Sequence, residues 1–251
     1  MIIELDDVYF RGGALRSRFD VADDGLSGWF DGASPRLDTQ DRPQSDGAFW
    51  SPLFRGGRSI GWHGLIHTAH PREQRTALEQ LAGMCSGRGP YVMSVQHEAT
   101  VTTAQVQLVK SPETSILRYG RLARYQVEVF APDPFRYGQT HVLPAVDGAV
   151  RPFHNGTTDA VPEITVTGSR PSGYSLAYRG KQFIVAAPLA SGETHVIDMA
   201  TGWVHTGSGA VLARAVSRAE LFTVPKGPTG PALTITGGTG GMTVRVRDTY
   251  A

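Results

Sequence analysis

Hydrophobic and polar residues alternate with period two along most of this chain, which is the mark of strands with one buried face. The clearest case is Ala123, Tyr125, Val127 and Val129 on one side, with Arg124, Gln126 and Glu128 on the other. The pattern predicts strands at Ile2–Leu5, Val8–Phe10, Arg58–Gly64, Tyr91–Gln96, Thr100–Val109 and Arg118–Phe130. One segment follows helical spacing instead. Pro71 suits a first helical turn, Glu73 suits the positive N-terminal end, and Leu78, Leu81, Ala82 and Cys85 recur at i, i+3, i+4 and i+7. The spacing predicts a helix over about 71–86 that packs its stripe on a sheet, with Gly87 as the left-handed stop and Cys85 as a small core residue.

Two stretches break the alternation. Residues 29–50 begin at Trp29-Phe30 and end at Phe49-Trp50, with Pro35, Asp38, Asp41, Arg42 and Pro43 between, and read as a long loop or extended arm between aromatic anchors. Aromatic side chains are favoured at interfaces, so Trp29, Phe30, Phe49 and Trp50 are candidates for contact with a neighbouring subunit, or else for their own core. The second break is Ala131-Pro132-Asp133-Pro134-Phe135-Arg136-Tyr137-Gly138. Two prolines within three residues remove backbone donors and must end the preceding strand. Asp133, Pro134, Phe135 and Tyr137 therefore mark a rigid, aromatic-anchored junction between two domains.

After a linker over 139–154, the remainder, 155–251, reads as nearly pure β. Strands are predicted at Glu163–Thr167, Ser175–Tyr178, Gln182–Ala186, His195–Asp198, Trp203–His205, Glu220–Val224, Leu233–Thr236 and Thr243–Arg247. A turn over Asp198–Gly202 joins two of them. Short strands at this spacing suggest a jelly-roll or galectin-like sandwich. The predicted fold is mainly β: an α+β first domain over 1–138 with one packed helix, and a second β-sandwich over 155–251.

Composition narrows the function. The 251 residues carry a formal net charge of +1, and no basic stripe of the kind a nucleic-acid binder uses. A single cysteine allows no intrachain disulfide, and the N-terminus shows no signal-peptide pattern. No apolar run reaches the roughly 20 residues a membrane helix needs, so a soluble product made in a cytoplasm and not inserted in a membrane is expected.

Candidate chemistry is sparse. His63, His67 and His70 cluster, but no His-Glu-x-x-His or Cys-x-x-Cys pattern accompanies them, and no metal is expected. Gly237-Gly238-Thr239-Gly240-Gly241 lacks the lysine of a phosphate loop and reads as a turn. There is no Gly-x-Ser-x-Gly elbow, and the carboxylates are scattered. Neither an enzyme nor a cofactor is expected. Trp203, after the Asp198–Gly202 turn, is a candidate sugar contact, or an ordinary packed or edge tryptophan.

Taken in order, these features resemble the distal tail proteins of long-tailed bacteriophages. The resemblance rests on Asp46-Gly47, the Arg58–Gly64 strand, the helix and the strand feeding Ala131-Pro132-Asp133-Pro134. In the second half it rests on Asn155-Gly156, Pro162, the Ile197-Asp198 turn with Gly202, Val224-Pro225, Gly227 and the closing Val244–Ala251 segment. It implies a structural virion protein of the tail tip, with no catalysis: a homohexameric ring built by the first domains, galectin-like second domains projecting outward, and a channel through which DNA passes without specific binding. The implied partners are the tail tube protein and the tail-tip or baseplate hub protein. The 30–50 loop would lap onto a neighbour. The alternative is a carbohydrate- or receptor-binding tail-tip module.

Overall fold

The computed structural model describes residues 1–13 and 17–251. The chain divides into two compact units, Met1–Arg136 (joined by Ala251) and Tyr137–Tyr250. Both are built mainly of strands, and no helix among the described residues is long and apolar enough to cross a membrane.

The first unit comprises β1 (Ile2–Leu5), β2 (Val8–Gly12), β3 (Phe19–Ser27), β4 (Pro35–Leu37), β5 (Leu53–Arg55), β6 (Arg58–His67), α1 (Pro71–Gly83), β7 (Tyr91–His97), β8 (Thr100–Leu108), β9 (Glu113–Arg118) and β10 (Leu122–Ala131). Its main sheet runs β8-β7-β1-β2-β3-β6-β10-β9. A short pairing of Val129 and Phe130 with Leu108 and Gln107 joins β10 back to β8, so seven strands close on themselves. Closure removes sheet edges that would otherwise need covering.

The alternation read from the sequence sets which side chains fill this barrel. Ala123, Tyr125, Val127 and Val129 of β10 are all fully buried. Opposite them, β6 turns in Arg58, Ile60, Trp62, Gly64 and Ile66. The Phe10 ring lies 5.3–5.4 Å from the rings of Phe19, Trp62 and Tyr125, in the tilted and edge-on geometries that aromatic pairs favour. The Tyr125 hydroxyl donates to the Asp20 carbonyl at 3.1 Å, so this buried polar group is satisfied.

Helix α1 starts at Pro71, as the spacing predicts, and the Glu73 carboxylate accepts the Ala69 N–H at 2.9 Å. That bond holds the Glu73 carboxyl below its ordinary range. The buried stripe, however, is Gln74, Ala77 and Leu81, followed by Met84 and Cys85, while Leu78 is half-buried and Ala82 exposed. The helix is rotated from the predicted face because Gln74 can turn inward. Its amide donates to the Arg118 carbonyl at 3.1 Å and its carbonyl accepts the Gly120 N–H at 2.8 Å, so no polar atom is stranded. The left-handed stop falls on Cys85 (φ 57°), not Gly87. Asp6 makes this possible, its carboxylate accepting the Cys85 N–H at 2.6 Å. Burial, helped by Asp6, pushes the Cys85 thiol up to about 11, which fits an inert core thiol.

The predicted strand Arg118–Phe130 is two strands. Gly120 adopts φ 72°, and β9 folds back along β10.

The second unit comprises β11 (Arg136–Pro144), β12 (Ala149–Val150), β13 (Glu163–Thr167), β14 (Tyr174–Tyr178), β15 (Lys181–Val185), β16 (Thr194–Asp198), β17 (Val204–Thr206), β18 (Val216–Ala219), β19 (Leu233–Thr236) and β20 (Met242–Tyr250). Two five-stranded arrays run β17-β16-β13-β20-β11 and β12-β19-β14-β15-β18. Ile164, Ile197 and Val244 from one, and Leu176, Phe183 and Leu233 from the other, share one core, which makes a sandwich. Residues 139–154 are therefore not a linker. They supply β11 and β12, whose weak alternation hid them. Glu220–Val224 is not a strand either. The strand there is Val216–Ala219, and Val224 makes only an isolated bridge to Ala160.

A part-buried polar cluster, centred on the buried Asp248 carboxylate, ties three segments of this unit together. One Asp248 carboxylate oxygen accepts from His141 Nε2 at 2.8 Å and from the Asn155 N–H at 2.7 Å. The carboxylate can only accept, so His141 carries its proton on Nε2. Asp248→Ala strands both donors, and unfolding of the full chain in urea is expected to show a loss of about 2–4 kcal/mol. Asp248→Asn, which keeps an acceptor, is expected to lose less.

Two other histidines, His154 and His195, are buried. His154 accepts the Gly156 N–H at Nδ1 (3.1 Å) and therefore donates from Nε2 to the Val224 carbonyl (3.3 Å). His195 lies 3.1 Å from the Tyr174 hydroxyl through Nδ1. Burial holds both imidazoles below their ordinary range. A depressed histidine pKa means that the unfolded chain binds protons the fold refuses. Stability is therefore full above about pH 6.5 and falls as pH drops from there toward the folded values. Urea midpoints at about pH 7.5 and about pH 5.5 check this, with a lower midpoint expected in acid.

Candidate interaction surface

Residues 31–57 leave the barrel of the first unit between β3 and β6 and fold into a ribbon. Pro35, Arg36 and Leu37 pair with Arg55, Phe54 and Leu53, and an isolated bridge joins Asp41 to Ala48 further out. The Phe49 N–H donates to the Gln40 carbonyl at 2.9 Å, and the Arg42 N–H donates to the Gly47 carbonyl at 3.0 Å across the tip. Gln44 and Gly47 take positive φ there, which lets the chain reverse. The segment read from sequence as a loop or extended arm is thus a hairpin, and seven residues from Pro35 to Asp41 reach about 20 Å when extended.

Both ribbon strands are exposed on every residue. Leu37, Phe49, Leu53 and Phe54 are each about half exposed, and Trp50 is 88% exposed. The Arg36 guanidinium sits 5.6 Å from the Phe54 ring centre, and Arg42 sits 5.8 Å from that of Phe49. A two-stranded hairpin is marginal alone, and clustered exposed apolar groups mark interaction surfaces.

The root of the ribbon is fixed by one residue. Arg58, at the start of β6, is 4% exposed. Its Nη1 donates to the carbonyls of Gly28, Trp29 and Asp31 at 3.0, 2.7 and 2.6 Å. Its Nε and Nη2 donate to the Pro134 carbonyl at 3.3 and 3.1 Å. Burial pulls the guanidinium below its usual range, and the Asp31 charge opposes that pull. Asp31 also accepts the Gly28 N–H at 2.8 Å. Two glycines make the approach possible. A Cβ on Gly28 would lie 2.0 Å from the Ser59 carbonyl oxygen, and one on Gly57 would lie 2.3 Å from the Phe130 ring.

Arg58 thus joins two features the sequence had marked separately, the aromatic arm and the double-proline exit. At that exit the Asp133 carboxylate accepts the Phe135 N–H at 3.0 Å, and Pro134, Phe135 and Tyr137 are half-buried. The Arg136 guanidinium lies 5.8 and 5.7 Å from the Trp29 and Phe30 rings, and that of Arg247 lies 4.6 Å from Tyr137.

Of the four aromatic interface candidates, Phe30, Phe49 and Trp50 are exposed. Trp29 is not available to a neighbour. It is fully buried, its indole N–H donating to Thr102 Oγ1 at 3.2 Å. Leu37, Leu53 and Phe54 join the exposed set. The sequence hid them because a short exposed ribbon has no buried face and hence no periodicity. Arg58 carried a readable signal, a cation on the inward register of an otherwise apolar strand.

Trp203 is 53% exposed beside the predicted turn, where the Asp198 carboxylate accepts the Ala200 N–H and the Thr201 hydroxyl, both at 2.8 Å. His63 and His67 lie 3.8 and 3.9 Å from Asp24 and Asp20, and His70 caps α1 through its backbone. Among the described residues no three His, Cys, Asp or Glu side chains are grouped to hold a metal.

No protein-family model matches this chain, and no curated protein matches it by sequence. Among solved structures, that of the SPP1 Dit (gp 19.1) protein, described as a paradigm of the hub adsorption apparatus in phages infecting Gram-positive hosts, is similar over 100% of this chain and 99% of its own. The TM-score is 0.77 at 11% identity. The phage P2 baseplate in its activated conformation, solved with Ca and with Sr, gives TM-scores of 0.48 at 6% identity. These cover 86% and 88% of this chain and 87% and 88% of the baseplate chains. At that level the baseplate likenesses add nothing to the fold. The SPP1 match shows that both units, in this order, share the fold of that protein.

Proposed function

We propose that this chain is a structural protein of a bacteriophage tail tip, a distal tail protein. Six copies form a ring that joins the tail tube to the tip or baseplate hub and leaves a channel for DNA. The observation that carries this reading is the end-to-end likeness of fold to a protein described as part of a phage hub adsorption apparatus. Two features of the chain support it. The exposed aromatic ribbon suits a clasp laid on a neighbouring copy, because a head-to-tail contact between different surfaces closes into a ring. A formal net charge of +1 avoids the counterion-driven adhesion that would hold DNA in a channel. The role asks for neither catalysis nor a cofactor.

Electron microscopy of the purified full-length chain, alone and with the tail tube protein of the same phage, tests the reading. Six-fold rings with a central opening are expected in at least one condition. Monomers in both would overturn it. A second reading, a glycan-binding tip module, has one specific observation in its favour, the half-exposed Trp203 indole, and a glycan array decides it.

A further inference from the structure

The tail-tip reading gives Asn155-Gly156 no chemical role, yet its surroundings are chemically unusual. The Gly156 N–H points at His154 Nδ1 at 3.1 Å. His154 Nε2 faces the Val224 carbonyl at 3.3 Å, an acceptor, so the ring proton sits on Nε2 and Nδ1 offers its lone pair to the Gly156 amide. Asn155 is anchored through its backbone, its N–H donating to Asp248 at 2.7 Å, while its exposed carboxamide makes no hydrogen bond. Glycine is obligatory at 156, since a Cβ there would lie 2.1 Å from the Thr249 carbonyl oxygen and 2.4 Å from its nitrogen. The fold therefore fixes, after an asparagine, the residue that hinders ring closure least. It also sets a neutral imidazole on the reacting N–H.

We infer that Asn155-Gly156 is a self-modification site at which the chain forms a succinimide with His154 as general base. Nδ1 takes the Gly156 amide proton, and the nitrogen attacks Asn155 Cγ to close a five-membered imide. The Cγ–N bond of the carboxamide breaks, and ammonia leaves with the proton returned by the imidazolium. Water then opens the imide at either carbonyl, giving aspartate or isoaspartate. No oxidant or reductant is involved, and His154 ends unchanged. Asp248, Asp159 and His141 supply the charges around the imidazole. The product adds a negative charge beside Asp248. The isoaspartyl form also lengthens the backbone between the Asp248 anchor and the Thr157 and Thr158 N–H groups, which donate to the Thr249 carbonyl at 2.9 and 3.2 Å.

The test is ageing of the full-length chain at neutral pH, read by peptide mass mapping for conversion of the Asn155 amide and by isoaspartyl methyl-transfer labelling. The folded chain is expected to convert at Asn155 at least as fast as the same chain unfolded in urea. His154→Gln is expected to slow the folded chain about tenfold or more and leave the unfolded rate unchanged. Asn155→Gln is expected to silence the site. Strong protection of Asn155 by folding, or a folded His154→Gln chain that converts at the wild-type rate, would overturn the inference. If His154→Gln does not fold, the wild-type comparison of folded and unfolded rates decides alone.

Discussion

Arg58→Ala is expected to lower the unfolding free energy by about 3–5 kcal/mol, which is exceptional for one substitution. The guanidinium serves four carbonyls, of Gly28, Trp29, Asp31 and Pro134. Removing it strands the buried Trp29 carbonyl and unpairs three part-buried ones, and a buried orphan costs about 1–3 kcal/mol before water re-enters. Replacing a buried ion pair by a hydrophobe is often neutral, because both charges go. Here the partners are backbone and cannot be removed, so Arg58→Met is expected to be nearly as damaging as alanine. Lysine keeps the charge but lacks the planar fork that spans Pro134 on one side and the 28–31 segment on the other, so Arg58→Lys falls between. Denaturant unfolding gives the loss, and limited proteolysis across residues 28–57 reports whether the ribbon root has loosened. A loss under about 1 kcal/mol with an intact root would remove Arg58 from its assigned place.

The second large effect is on assembly. Phe49→Ser with Trp50→Ser is expected to leave stability within about 0.5 kcal/mol of wild type, because both side chains are exposed and hold no core contact. The same pair is expected to weaken self-association by at least about 100-fold, since two aromatic anchors at an interface contribute about 2 kcal/mol or more each. Trp29→Ala provides the contrast. Its indole is fully buried, so it is expected to lose about 3–5 kcal/mol of stability. Sedimentation velocity on folded double variant separates the two outcomes. Assembly equal to wild type would mean that the ribbon is not a clasp.

Where one face of a strand is buried, the sequence was readable. The β10 register, with Ala123, Tyr125, Val127 and Val129 inward, and the β6 register from Arg58 to Ile66 follow directly from alternation. Elements without a buried face were not readable. The ribbon strands and β9 are exposed at every position, so no periodicity betrays them. The rotation of α1 turned on Gln74, whose inward setting depends on partners at Arg118 and Gly120 that are distant in sequence. Cys85 in a left-handed conformation was equally hidden, because Asp6 supports it from the first hairpin. In the candidate surface, Phe30, Phe49 and Trp50 were visible as aromatics flanking a polar break. That Trp29 belongs to the core depended on Thr102, again far along the chain. The strand over 136–144 was obscured by its mixed, half-buried faces.

Whether six copies close into a ring is read by native mass spectrometry of the full-length chain across a concentration series, with and without its tail tube protein. Six copies of the 27.0 kDa chain are expected as the dominant closed species in at least one of the two conditions, and that species is expected to be lost in the Phe49→Ser/Trp50→Ser variant. A chain that stays monomeric in both conditions, or that closes with another number of copies, would contradict that expectation.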